Sequence, residues 1–224
     1  MPSISQCTAA SALIVLCVIR ATAGENVAYK PAEMDPACKG GSPAGQHETK
    51  DLPAQFKEFV PFIHADERLL TVACMTAPDR AGMRFLTATK APTKMGSVSI
   101  LVRQPDNSLR LEAVNHTVVQ VNGYEGSGAS GGFERMGSSR PGLFTIDISG
   151  GDSVQRTDYE FQFRYSPAEK TWLLYSVVTK VFTRDIDLEH RKEKDDITTE
   201  KQTAKDFGHV TFSEFDGAKF GLGD

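Results

Sequence analysis

The sequence has no strong excess of charge of either sign and no basic cluster that would follow a nucleic-acid backbone. Its 25 Lys and Arg residues are outnumbered by 29 Asp and Glu residues, which gives a net charge of −4. Because affinity for nucleic acid depends on clustered Lys and Arg, this balance predicts no nucleic-acid partner. A mildly acidic surface instead favours a basic protein partner.

Histidine is also scarce, and no spacing typical of a metal site is present. The five histidines follow no His-Glu-x-x-His or similar ligand pattern. Asp185, Asp187 and Glu189 alternate along the chain, but the glycine that lets a calcium loop turn is missing, so solvated charge is the better interpretation. The sequence therefore predicts neither a metal site nor a cofactor.

No apolar run is long enough to cross a bilayer. Residues 9–19 are apolar, and Ala21-Thr22-Ala23 after them fits the small-x-small pattern of a signal-peptidase site. We expect residues 1–23 to be a signal peptide, cleaved near Ala23, and the rest of the chain to act in the periplasm or outside the cell. Leu16 stands before Cys17 where a lipoprotein needs a small residue, so no stable membrane anchor is expected.

Cysteine occurs four times, and two of the four lie in the predicted signal peptide. An even pair, Cys38 and Cys74, then remains in an oxidising compartment and predicts one disulfide. The alternative is that Cys74, within an apolar run, is a buried thiol.

The clearest periodic signal lies in residues 143–184. Phe144, Ile146 and Ile148 alternate with polar residues, and a second run does the same, with apolar positions at Tyr159, Phe161, Phe163 and Tyr165. This period of two predicts strands with one buried and one solvated face. The run 172–182 is apolar more continuously and predicts a strand covered on both sides.

The remaining segments complete a single-domain prediction. Residues 24–50 predict an extended arm, 52–62 a short helix, and 68–75, 83–89, 98–102, 109–113 and 117–121 further strands. The charged stretch 185–200 predicts a solvated linker or helix face, 197–205 a helix, 210–212 an edge strand and 217–224 a disordered tail. The fold class is mainly β, an antiparallel meander or sandwich over residues 51–216 with one or two short helices.

Several motifs resemble a family of exported bacterial β-rich proteins related to integrin-type FG-GAP repeats. They cover residues 52–216, and they are Pro61-Phe62-Ile63-His64, Gly142-Leu143-Phe144-Thr145-Ile146, Phe161-Gln162-Phe163-Arg164-Tyr165 and the tail Lys205-Asp206-Phe207-Gly208-His209-Val210-Thr211-Phe212. The resemblance implies an exported β fold. In place of the family's acidic calcium turn this chain has residues 78–82, with one carboxylate and an Arg, so the resemblance does not extend to calcium binding.

The function expected from this pattern is binding without catalysis. We expect a periplasmic binding protein, such as an immunity protein that occludes a toxin from a neighbouring bacterium. The Gly-rich loop 123–142 is the expected contact element, because loops on a rigid scaffold carry recognition. Its expected partner contacts are Tyr124, Glu125, Phe133, Glu134 and Arg135.

Two alternatives remain open at this point. One is an envelope-maintenance protein with an unknown ligand. The other is a serine hydrolase, because residues 128–132 match Gly-x-Ser-x-Gly around Ser130. No helix pattern follows that serine, which makes a flexible loop the better interpretation.

Overall fold

The strands of this chain form two antiparallel sheets. A computed structural model describes Cys38 and residues 51–76, 83–90, 96–119, 132–151, 154–187 and 192–221. Within each sheet the strands are neighbours in the order of the sequence. The four-stranded sheet comprises β1 (Arg68–Thr76), β2 (Met83–Lys90), β3 (Gly96–Arg103) and β4 (Leu109–Val119). The five-stranded sheet comprises β5 (Gly132–Arg140), β6 (Leu143–Gly151), β7 (Gln155–Ser166), β8 (Thr171–Asp187) and β9 (Lys192–Thr203).

The main hydrophobic core lies between the two sheets. Leu86 and Ile100 of the four-stranded sheet belong to one buried cluster with Phe144, Phe163 and Trp172 of the five-stranded sheet. Aromatic rings interlock there, with Phe144 stacked on Phe163 at 5.1 Å between ring centroids. The predicted mainly β, sandwich-like fold is confirmed, since the chain forms two antiparallel sheets that bury apolar side chains against one another.

A second cluster covers the other face of the four-stranded sheet. A 3₁₀ helix, Ala54–Phe62, replaces the short helix predicted at 52–62. Phe56 and Phe59 are spaced by three residues, which aligns them in a 3₁₀ helix, and both pack with Phe85 and Leu101. The four-stranded sheet therefore has buried apolar side chains on both faces, and seven consecutive residues of β3 are buried.

The predicted disulfide is present. Cys38 and Cys74 are bonded, with their Cα atoms 5.7 Å apart. Cys38 packs against the second cluster, so the bond joins Cys38 to β1 at the edge of that cluster. The alternative of a buried Cys74 thiol is wrong.

The central meander matches the sequence prediction except at one strand. β6, β7 and β8 pair in sequence order, and residues 167–170 form the turn between β7 and β8. The prediction that residues 172–182 are covered on both sides is wrong, since Tyr175 is 43% exposed and Lys180 is exposed. The two strands predicted at 109–113 and 117–121 are one continuous strand, β4.

The C-terminal region corrects the predicted linker and helix. Residues 192–203 form β9, which pairs with β8 from Asp187 opposite Lys192 to Ser176 opposite Thr203. Without β9, the edge of β8 would have unpaired backbone N–H and C=O groups. Pairing satisfies these groups, and this gain is not included in the helix propensity of the individual residues. Helix is confined to α1 (Ala204–Phe207), where the Asp206 carboxylate accepts from the Thr203 backbone N–H at 2.7 Å.

The structure describes residues 217–221 of the tail predicted to be disordered, while the last three residues lie outside the described part of the chain. Residues 212–214 and 217–220 form short 3₁₀ helices, and the edge strand predicted at 210–212 is reduced to one bridge between Thr211 and Leu173. Phe220 stacks on Phe215 at 5.3 Å, which holds the tail on the core. No helix in the described part of the chain has the length and apolar character to cross a membrane.

Candidate binding face

One face of the five-stranded sheet is turned away from the core, and we call it the outer face. The alternation predicted for β6 and β7 places polar side chains here, because their apolar neighbours point into the core. These polar positions are Thr145, Asp147, Ser149, Glu160, Gln162 and Arg164. Solvent reaches the face at Arg164, Tyr175 and Lys201, all of which are exposed.

A β-bulge in β5 decides where three predicted contact residues point. The register shifts between Phe133, opposite Ile148, and Arg135, opposite Asp147. A bulge of this kind sends two consecutive side chains to the same face. Phe133 packs against the core, whereas Glu134 and Arg135 are exposed on the outer face.

Glu134 and Arg135 are already engaged by β6. The Ser149 hydroxyl donates to the Glu134 carboxylate, and the Arg135 guanidinium donates to Asp147 Oδ2. This bond and the charge of Asp147 raise the pKa of Arg135 above its ordinary value. Asp147 Oδ1 is buried and has no hydrogen-bond partner among the residues that the structure describes. These residues border a cavity of about 350 Å³, and the charges of opposite sign in its lining neutralise one another locally.

A larger groove lies at the β8–β9 side of the same face. Its volume is about 660 Å³, and its apolar lining includes Tyr165, Pro167, Leu173 and Tyr175. A volume in this range is typical of binding pockets, as is a mostly apolar lining with a few charged groups. We call it the basic groove, because Arg164, Lys201 and Lys205, its three cations, are the charged residues among those that line it.

Two carboxylates that lie close to groove residues in the sequence, Glu169 and Asp206, have other partners. Glu169 is paired with His209, at 2.7 Å from Oε2 to Nε2, and Asp206 caps the first turn of α1. None of the three groove cations forms an ion pair with a residue that the structure describes. Arg164 instead lies over the Tyr175 ring, 5.8 Å from its centroid, which leaves its N–H groups available to a ligand.

Of the predicted contact residues, only some lie on the outer face. Glu134 and Arg135 lie on it, at the β5 side of the sheet, while the basic groove lies at the β8–β9 side. Tyr124, Glu125 and Ser130 fall outside the described residues. The second half of the predicted loop 123–142 is the strand β5 and its turn to β6.

No pattern in the sequence points directly to the basic groove. Arg164 belongs to a strand that was interpreted only as core alternation, and Lys201 and Lys205 belonged to a predicted helix. Only the strand register shows that these residues are near one another. Arg164 of β7 lies opposite Leu173 of β8, and Lys201 of β9 lies opposite Val178 of β8. The available hint was Tyr175, an aromatic residue next to a polar Ser176 in an otherwise apolar run.

Comparison with known proteins gives no match: no family model, no curated protein and no solved structure is similar to this chain. The resemblance to exported bacterial β-rich proteins therefore stays a prediction. Function has to be argued from the surfaces themselves.

Proposed function

We propose that this protein binds a partner protein without catalysis, in the periplasm or outside the cell, and holds an acidic segment of that partner in the basic groove. The observation that carries the proposal is a local positive charge, opposite in sign to the net charge of the chain. The chain has a net charge of −4, yet the described residues that line the basic groove include three cations and no carboxylate. Such a groove is complementary to an anionic, partly apolar partner.

The chemistry of the groove favours a peptide segment as its occupant. Tyr165, Leu173 and Tyr175 offer apolar surface, and tyrosine with arginine is the combination that dominates protein interfaces. The Arg164 guanidinium can receive a carboxylate through two parallel hydrogen bonds, while the two lysines act as point charges. An open groove on a rigid sheet suits an extended segment better than an enclosed small molecule.

The disulfide supports the proposed location. Structural disulfides persist in oxidising compartments and are rare in the cytosol. The Cys38–Cys74 bond therefore agrees with export, for which residues 1–23 are the expected signal. An immunity protein that occludes an incoming toxin is the form of this role that we propose, because occlusion requires a complementary surface and no reactive group.

The test is a complex with a defined partner. The oxidised chain from Gly24 onward would be used to capture proteins encoded beside its gene, and the captured protein would be purified and titrated. We expect the double variant Lys201→Glu/Lys205→Glu to weaken binding at least tenfold, which is about 1.4 kcal/mol. Added salt is expected to weaken the wild-type complex in the same direction.

A matched variant separates the groove from overall charge. Lys57→Glu/Lys219→Glu makes the same change in net charge at two exposed lysines outside the groove. Equal losses in the two double variants would show a nonspecific charge effect and contradict the proposal, as would the absence of any neighbouring partner.

A further inference from the structure

A hydrogen-bonded chain of three side chains lies on the opposite side of the molecule, where the 3₁₀ helix meets the four-stranded sheet. The Glu67 carboxylate is 8% exposed and accepts from Thr89 Oγ1 at 2.7 Å and from Ser97 Oγ at 2.9 Å. Ser97 Oγ lies 2.8 Å from Nδ1 of His116. Glu67, Ser97 and His116 thus connect a buried carboxylate to an exposed imidazole.

With Glu67 deprotonated, counting protons along this chain assigns one tautomer to His116. A deprotonated carboxylate only accepts, so the single Ser97 hydroxyl proton is used on Glu67. Ser97 Oγ can then only accept from His116, which must carry its proton on Nδ1. The Nε2 atom of neutral His116 is consequently left with a free lone pair, the form that binds metals.

A second imidazole stands next to this one. The His64 ring centroid lies 6.4 Å from that of His116, and both residues line a cavity of about 340 Å³ that is open to solvent. Both residues are exposed, and in the described part of the chain neither imidazole has a hydrogen-bond partner other than Ser97. Two imidazoles on one tetrahedral metal have ring centroids about 5 Å apart, given metal–nitrogen distances of about 2.0–2.1 Å. Metal binding therefore requires the exposed His64 side chain to move about 1 Å towards His116.

We propose that His116 and His64 form a binding site for a divalent transition metal of the copper–zinc class. Imidazole is a preferred ligand for these metals. Metal-binding histidines almost always donate their other N–H to a carboxylate, carbonyl or water, and the Ser97–Glu67 pair has this role for His116. The site is independent of the basic groove and of the proposed partner.

The rest of the coordination sphere is left to water. No group of three or more His, Cys, Asp or Glu side chains in the described residues is arranged to hold a metal, and the Glu67 carboxylate is occupied by Thr89 and Ser97. Two protein ligands leave open positions, so the metal would be exchangeable and accessible to an external ligand. Copper is expected to bind more tightly than zinc.

The site is tested with Cu²⁺ alone. The oxidised chain from Gly24 onward would be titrated with Cu²⁺ near neutral pH by calorimetry, and the complex examined by electron paramagnetic resonance for two imidazole nitrogens. We expect one Cu²⁺ per chain. His116→Ala is expected to abolish the site, His64→Ala to weaken it at least tenfold, and Ser97→Ala to weaken it about 10- to 100-fold.

Two matched variants control for histidine number and for loss of a hydroxyl. His209→Ala removes an exposed histidine that pairs with Glu169, and Ser99→Ala removes a buried hydroxyl from the same cavity. Both are expected to bind Cu²⁺ as the wild type does, and circular dichroism checks that every variant folds. In metal-free protein, nitrogen-15 NMR is expected to show His116 protonated on Nδ1. Absence of a stoichiometric site, unchanged affinity in His116→Ala, or equal effects of Ser97→Ala and Ser99→Ala would overturn the proposal.

Discussion

Asn115 joins the C-terminal segment to the four-stranded sheet. Its side-chain Nδ2 donates to the carbonyl oxygens of Phe212 at 2.8 Å and Phe215 at 2.7 Å, and its Oδ1 accepts from the Thr117 backbone N–H at 2.8 Å. The side chain is buried, at 1% exposure. The Asn-x-Thr sequence that begins here is therefore a structural element in this fold, since the amide nitrogen that a glycan would need is already used.

We predict that Asn115→Ala lowers the free energy of unfolding by about 2–3 kcal/mol, because buried polar groups of three other residues lose a partner. Chemical denaturation followed by circular dichroism measures the change. Arg110→Ala, on the exposed face of the same strand, is the control and is expected to stay within about 0.5 kcal/mol of the wild type. A loss below about 1 kcal/mol for Asn115→Ala would show that water replaces the amide.

The side chains of the Glu67–Ser97–His116 chain are far apart in the sequence. Ser97 is separated from Glu67 by 30 positions and from His116 by 19. No local spacing marks such a set, so the sequence predicted no site there. His116 was interpreted only as a strand residue, which is correct for its backbone and incomplete for its imidazole.

At the scale of elements, the hairpin between β6 and β7 depends on one glycine. Gly151 has φ +128°, and a Cβ atom placed there would lie 2.1 Å from the carbonyl oxygen of Gln155 and 2.8 Å from Cα of Arg156. Both contacts are with backbone, which cannot move aside as a side chain can. Gly150, its neighbour, has open space around the same position.

These two glycines form a matched pair for experiment. We predict that Gly151→Ala destabilises the protein by about 2–4 kcal/mol, through backbone strain and the steric clash. Gly150→Ala is expected to change stability by less than about 1 kcal/mol. Thermal and urea unfolding measure the change in the free energy of unfolding for both variants. Similar changes in the two variants would contradict the structural explanation.

Prediction of the elements from sequence succeeded where the period of the pattern was clear. β6 and β7 alternate because one face is in the core and the other in solvent, so the residues themselves encode the strand. β9 was predicted as charged linker and helix, since Lys, Glu and Gln favour helix when no partner is considered. The open edge of β8 supplies that partner, and hydrogen bonding across the edge outweighs a propensity of a few tenths of a kcal/mol per residue.

At the scale of the whole molecule, one aromatic core is shared by both sheets. Trp172, the single tryptophan, is 1% exposed between them and contacts Phe144 and Tyr165, with ring centroids 5.1 and 5.2 Å away. Its Nε1–H donates to Glu112 of the four-stranded sheet at 3.2 Å. Glu112 also holds the buried Arg84 through two hydrogen bonds. Neither sheet keeps a complete core without the other.

We therefore predict that the two sheets unfold in one cooperative transition. Trp172 fluorescence reports the core, and far-ultraviolet circular dichroism reports the strands, so the two urea curves are expected to coincide. Calorimetry is expected to give equal calorimetric and van't Hoff enthalpies for the oxidised chain. Separate midpoints for the two probes would show that one sheet is stable alone.

The sequence by itself determined the fold class, the disulfide pair and most strands, because alternation, turn residues and cysteine number act locally or by simple counting. The tertiary structure alone decided which strand face stays in solvent, where β9 pairs, and which charges meet. Arg84 lies in a sequence stretch that predicts an ordinary strand, yet it is buried against Glu112. The basic groove and the Glu67–Ser97–His116 chain have the same origin. Strand register and the packing of the two sheets bring together residues that are distant in the sequence. Local patterns in a single sequence do not predict such contacts.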